Sequence, residues 1–157
     1  MLLSCAIAHY LPMNSQIKPT LAMDDLKVFI AEDSSAVRES LHTLLSGMEG
    51  VSVVGYAADE AGAIEGINTL LPDFVVLDLH LQHGTGVNVL INVKRHHARM
   101  KVAVLSNYAS ALYVVACRQH GADYFFDKSF QFMLLRQLLT QLASPEGLNG
   151  EIPHPQS

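Results

Sequence analysis

Four short runs of aliphatic, β-branched and aromatic residues, at positions 27–31, 74–79, 102–105 and 124–126, are continuous rather than alternating. A strand with one wet face alternates apolar and polar side chains, so an uninterrupted run of this length implies a strand covered on both faces. A fifth run, at 51–57, is also strand-like. The segments between the runs have helical spacing, as in Val37, Leu41, Leu44 and Leu45 ahead of Gly47. Ser34 or Ser35 can cap the first helix and Asp59 the second, which Leu70-Leu71-Pro72 ends; residues 84–97, 109–120 and 130–142 supply three more. Five strand–helix units in alternation require right-handed crossovers and a parallel sheet with helices on both sides. The fold class is therefore α/β, a doubly wound (βα)5 architecture. Ligands of such sheets bind at the carboxyl ends of the strands.

The pattern occupies residues 25–143 of 157 as one domain. Residues 1–24 have no period and are expected to be a disordered extension, with Met13 and Met23 as alternative starts. From 144 to 157 the chain turns to Pro, Gly, Asn and Ser, a composition expected of a disordered tail. A net charge of -5 offers no general attraction for a phosphate backbone or an anionic membrane, so direct nucleic-acid binding is not expected. The opening 13 residues are interrupted by Ser4, His9 and Pro12, short of the roughly 18 apolar residues that cross a bilayer, so no membrane association is expected. Two cysteines, Cys5 and Cys117, make no disulfide framework, and with no basic leader the expected location is cytoplasmic.

The polar residues that follow the apolar runs converge on one edge of such a sheet. They are Glu32-Asp33 after the first strand, Asp78 after the third, Ser106 after the fourth and Asp127-Lys128 after the fifth. Clustered carboxylates repel one another, and a hard divalent ion, Mg²⁺ above all, is the natural compensation. With a metal and Lys128 screening charge, the Asp78 carboxylate can attack a phosphorus centre, which points to phosphoryl transfer onto aspartate.

These residues resemble the receiver domain of two-component response regulators. The matching stretches are Val-Phe-Ile-Ala-Glu32-Asp33, Phe-Val-Val-Leu-Asp78-Leu, Val-Ala-Val-Leu-Ser106-Asn and Gly121-Ala-Asp-Tyr-Phe125-Phe-Asp-Lys128. Each is short, but all four stand in order on the right strand ends. The resemblance implies a flavodoxin-like sheet of order 2-1-3-4-5. It further implies that Asp78 accepts a phosphoryl group from a sensor histidine kinase or a histidine phosphotransfer protein. Lys128 and Ser106 would contact the phosphoryl oxygens. Asp33 and Asp78 would bind Mg²⁺ directly, Glu32 through water, and His80 through its backbone carbonyl. Ser106 and Phe125 would form the switch that carries the phosphorylated state to the outer surface.

The sequence departs from that family's pattern at Gln82 and Ser129, where prolines are common, at Asn107, larger than usual, and at Phe125, whose ring has no hydroxyl. None of these removes a reacting side chain. By the resemblance His80 and Tyr108 flank the path of the attacking water and are expected to shield the aspartyl phosphate. Glu32 and Asp33 would otherwise be helix caps and Asp78 a turn residue, but Leu79 directly after Asp78 is awkward for a turn. His80 and His83 are read as exposed loop residues rather than a transition-metal pair, and Cys117 as a small buried apolar side chain. Residues 130–142 carry more apolar positions than one buried stripe needs, as do Leu112, Tyr113 and Val114, so the fourth and fifth helices read equally as well-buried helices or as a contact surface for a second subunit or a partner.

The expected function is thus a stand-alone receiver, not an enzyme beyond its own phosphorylation and dephosphorylation, that signals through protein contacts. Two alternatives differ in kind. A small phosphatase or phosphotransferase with an aspartyl-phosphate intermediate would normally need a cap insertion. A receiver-like interaction module that is never phosphorylated fits poorly with the intact set Glu32, Asp33, Asp78, Ser106 and Lys128.

Overall fold

The computed structural model of the protein describes residues 24–107, 110–129 and 131–145. Nearly all of the expected N-terminal extension, and the tail from 146 onward, lie outside them. The elements in chain order are β1 (Leu26–Ala31), α1 (Ser35–Ser46), β2 (Val51–Ala57), α2 (Glu60–Leu70), β3 (Phe74–Asp78), β4 (His80–Leu81), β5 (Gly84–Thr85), α3 (Gly86–His96), β6 (Lys101–Ser106), α4 (Ala111–Gln119), β7 (Tyr124–Asp127) and α5 (Phe132–Ala143). The main sheet has five parallel strands in the order β2-β1-β3-β6-β7, while β4 and β5 form a separate antiparallel pair. With that pair set aside, the order is the 2-1-3-4-5 expected from the sequence. No helix among the described residues is long and apolar enough to cross a membrane.

The continuous apolar runs arise because successive side chains of each inner strand serve two cores. Phe29, Ala31, Val75, Leu77, Val102 and Val104 pack on one side with Ala63 and Ile67 of α2, Val89, Leu90 and Val93 of α3, and Cys117 of α4. Val28, Ile30, Phe74, Val76, Ala103 and Leu105 pack on the other with Leu41 and Leu45 of α1 and Leu135, Leu138 and Leu139 of α5. Cys117 is buried as expected, and its burial pushes the thiol above its usual range, which leaves it a poor nucleophile.

Local signals set the helix starts. The Ser34 hydroxyl accepts from the Val37 amide at 3.4 Å, and an Asp59 carboxylate oxygen accepts from the Gly62 amide at 2.7 Å. The third helix corrects the sequence reading, which began it at Gly84. Gly84 has φ 143, a conformation that closes the β4–β5 hairpin and cannot start a helix, so α3 begins two residues later with Thr85 as its cap. Gly86, the first residue of α3, lies against the backbone of Asp78 and Leu79, where a Cβ would meet the Asp78 carbonyl. Gly86→Ala must displace main chain, so it is expected to cost at least the upper end of the ~1–3 kcal/mol of ordinary overpacking. Urea denaturation with the same slope and an unchanged midpoint would refute this.

Candidate functional site

The carboxyl edge of the sheet gathers residues far apart in the chain. Glu32 follows β1 directly, Asp78 ends β3, Ser106 ends β6, and Lys128 comes directly after β7. Parallel pairing sets their levels: Leu77 is in register with Val104 and Asp78 with Leu105, while Ser106 is in register with Asp127. The Lys128 amide donates to the Ser106 carbonyl at 3.1 Å, extending the ladder by one residue and holding the lysine beside Ser106. Asp127, one of the strand-end acids of the sequence, shapes this turn: its carboxylate accepts from the Ser129 amide at 2.8 Å. It does not join the acidic group formed by Glu32, Asp33 and Asp78.

The Lys128 ammonium lies 2.7 Å from Asp78 Oδ2 and 2.6 Å from Glu32 Oε2, with all three side chains buried. The other oxygens are also held. His80 donates its amide to Asp78 Oδ1 at 3.1 Å, and Ser34 donates its amide to Glu32 Oε1 at 3.0 Å. Arg38 of α1 donates to the Glu32 carbonyl at 2.8 Å while its guanidinium stacks 5.1 Å from the Tyr56 ring centroid. Asp33 is half-buried at the rim.

Charge governs this group of side chains. Burial raises the Glu32 carboxyl above its usual range, the neighbouring Asp78 charge adds to the effect, and Lys128 and the Ser34 amide oppose it. Burial pushes the Lys128 ammonium down, but its hydrogen bond to Asp78 and the charges of Asp78 and Glu32 outweigh that, so its affinity for the proton is raised. One ammonium faces two buried carboxylates and a third at the rim, leaving the cluster net negative.

Oxygen atoms from Glu32, Asp33 and Asp78 lie within 4.8 Å of one another. Although close to Lys128, Glu32 Oε2 is not aligned with any hydrogen-bond donor. An under-satisfied buried carboxylate oxygen beside two further carboxylates is the donor chemistry of a hard divalent cation. By contrast, His80 and His83 join no group of metal-ligating side chains among the described residues.

Phe125 is half-buried on β7 and packs against the core cluster that contains Cys117, one strand away from Val104. Ser106 is buried. Tyr108 lies outside the described residues, so the shielding expected of it with His80 stays an expectation. Sequence reasoning missed Arg38 and Glu60, whose partners are set by tertiary contacts and leave no local pattern.

An open parallel α/β sheet with a buried acid–lysine cluster at its carboxyl edge defines the class of flavodoxin-like domains built around an acidic pocket. Within that class the chain belongs to the response regulator receiver domain family of two-component systems, whose pattern it matches over residues 28–140. It is 30% identical over 109 residues to a protein-glutamate methylesterase/protein-glutamine glutaminase of Treponema pallidum, covering 68% of this chain and 27% of that protein. It thus spans only about a quarter of that relative's length. The signal receiver domain of NarL from Mycobacterium tuberculosis superposes with a TM-score of 0.69 at 26% identity, covering 81% of this chain and 99% of that one. The response regulator domain of Thermotoga maritima CheB superposes with a TM-score of 0.67 at 22% identity, covering 82% and 99%.

Proposed function

We propose that the chain is a Mg²⁺-dependent phosphoacceptor, phosphorylated on Asp78 by a sensor histidine kinase or a histidine phosphotransfer protein, and that it signals through protein contacts. The observation that carries this reading is the Lys128 ammonium 2.7 Å from Asp78 Oδ2, inside a pocket that also holds Glu32 and Asp33. In the transfer a carboxylate oxygen of Asp78 forms a bond to phosphorus as the phosphorus–nitrogen bond of the phosphohistidine breaks. The electron pair returns to the imidazole, which takes up a proton. Lys128 and the Ser106 hydroxyl would hold the phosphoryl oxygens. Glu32, Asp33, Asp78 and the His80 carbonyl would hold Mg²⁺, which supplies charge neutralisation of the transferring group.

Incubation with an acyl phosphate and Mg²⁺ tests the proposal: intact-mass measurement should find one added phosphoryl group, stable to acid and labile to base, as a mixed anhydride is. No adduct would sink it. The methylesterase name belongs to a relative of which the match covers 27%, so that activity is not carried over to this chain. We assign it no chemistry beyond its own phosphorylation and dephosphorylation, in the cytoplasm. We further assign residues 25–143 as the receiver.

The contact surface is proposed to be α4 and α5, on either side of the edge strand β7. Leu112 is 83% exposed and Met133 57%, and Tyr113, Val115 and Leu134 are exposed with them. Exposed apolar side chains on the two helices that flank β7 suit a homodimer in which phosphorylation, through Ser106 and Phe125, favours association. Sedimentation with the phosphoryl mimic beryllofluoride should show a dimer, weakened at least tenfold by Leu112→Glu, which corresponds to about 1.4 kcal/mol. A monomer with and without the mimic would remove the dimer from the reading.

A further inference from the structure

The hairpin that follows the phosphoacceptor is tied to the start of α2, and one side chain makes most of the connection. Glu60 Oε2 accepts from the Thr85 amide at 2.7 Å, and the Glu60 carboxylate accepts from the Asn88 side-chain amide at 3.1 and 3.3 Å. The Gln82 amide adds a bond to the Ala58 carbonyl at 3.0 Å. Thr85 is the cross-strand partner of His80, and His80 donates its amide to Asp78 Oδ1. The hairpin is costly to form at His83, whose φ of 49 lies in the region that L side chains rarely adopt, while the φ of 143 at Gly84 is open to glycine alone. A two-residue ladder with a strained turn does not hold its own shape in water. Gly84 also lies directly under Glu60, where a Cβ would approach the Glu60 Cβ to 2.5 Å, so the absence of a side chain there admits the carboxylate.

We propose that Glu60 is a positioning residue of the phosphoacceptor site: by clamping Thr85 it fixes the hairpin, and through it the His80 amide on Asp78 and the His80 carbonyl proposed to face the metal. The second half of this rests on the metal reading given above; the first half rests on the hydrogen bonds alone. An acceptor of glutamate length is what the clamp requires. Glu60→Gln keeps an oxygen for the Thr85 amide, and the Asn88 amide can turn to meet the new NH₂. Glu60→Ala removes the acceptor.

The test uses the full chain and Mg²⁺ alone, with no phosphodonor. Titration calorimetry should show Glu60→Ala binding Mg²⁺ about tenfold more weakly than wild type, the low end for a residue acting through a ligand's support. Amide hydrogen exchange at His80 and Thr85 should quicken in the same variant without metal, while the core strands keep their protection. Glu60→Gln should stay near wild type in both measurements. Wild-type Mg²⁺ affinity and unchanged exchange in Glu60→Ala would overturn the proposal, and so would a Gln variant that behaves like Ala, since charge rather than the acceptor would then be responsible. A wild-type protein that binds no Mg²⁺ would overturn the metal reading instead, leaving the exchange rates to decide the clamp.

Discussion

Asp78→Asn is expected to bring labelling by an acyl phosphate with Mg²⁺ down to background. The side-chain amide is not a nucleophile at neutral pH, and its single oxygen can replace only one of the two carboxylate oxygens that accept from the His80 amide at 3.1 Å and from Lys128 at 2.7 Å. The variant should still fold, with a lowered melting temperature, because one donor is left facing the new NH₂ while Lys128 keeps Glu32 as its ionic partner. Chelating the metal should lower labelling of the wild type nearly as far, because the net negative cluster repels a phosphoryl donor. Intact-mass spectra showing equal labelling of wild type and variant would place the phosphoryl group elsewhere. Equal labelling of wild type with and without chelator would remove the metal from the chemistry.

The second large effect is on stability. Lys128 is the counter-charge of Glu32 and Asp78, at 2.6 and 2.7 Å, and all three are buried. Removing one member of a buried ionic group leaves the others uncompensated, which costs ~3–5 kcal/mol. Lys128→Ala should lose about that much at neutral pH in chelator, measured by urea denaturation, and yet remain folded at typical domain stabilities of ~5–15 kcal/mol. Adding Glu32→Gln should recover a large part of the loss, since the carboxylate that burial makes hardest to ionise is then gone.

The pH dependence follows from the direction of each shift. Glu32 has its proton affinity raised on folding, so its favourable contribution is complete below its ordinary value of 4.5 and is lost as pH rises through the higher folded value. At neutral pH the ionised carboxylate therefore carries a cost that Lys128 offsets, and the penalty of Lys128→Ala should shrink as pH falls toward 4.5. Lys128 is also raised, so its own contribution is complete below 10.5 and is lost only as pH climbs through its folded value. Wild type should then show an alkaline loss of stability that Lys128→Ala lacks. A penalty independent of pH between neutrality and 4.5 would mean that packing of the lysine stem, not charge, holds the site together. Mg²⁺ at a hundred times its dissociation constant should add about 2.7 kcal/mol to wild type.

The sheet is legible in the sequence because every inner strand feeds two cores. Val28 and Ile30 serve one and Phe29 and Ala31 the other, and only a doubly covered strand needs apolar residues at all four positions. The caps Ser34 and Asp59 were legible because capping is local, a side chain reaching an amide three residues on. The β4–β5 hairpin was not. Two-residue strands have no period to detect, and Gly84 and Thr85 merge in sequence with the helix that follows them. The expected surplus on the fourth and fifth helices divides in the structure, with Leu135, Leu138 and Leu139 in the core and Met133 and Leu134 outside. Helical spacing gives the width of an apolar arc, not which part of it finds a neighbour.

Which residues stand at strand ends is a property of the sequence, and it was enough to bring Glu32, Asp33, Asp78, Ser106 and Lys128 to one edge, because parallel strands all end on the same side. Which of them touch was decided only by the tertiary structure. Lys128 bridges Asp78, 50 positions away, and Glu32, while Asp127 turns aside to bond the Ser129 amide. Glu60 closes on Thr85, 25 positions on, only because Gly84 has no side chain in the way. Strand register and helix packing fix such distances to tenths of an ångström, and neither is encoded in any local run of residues.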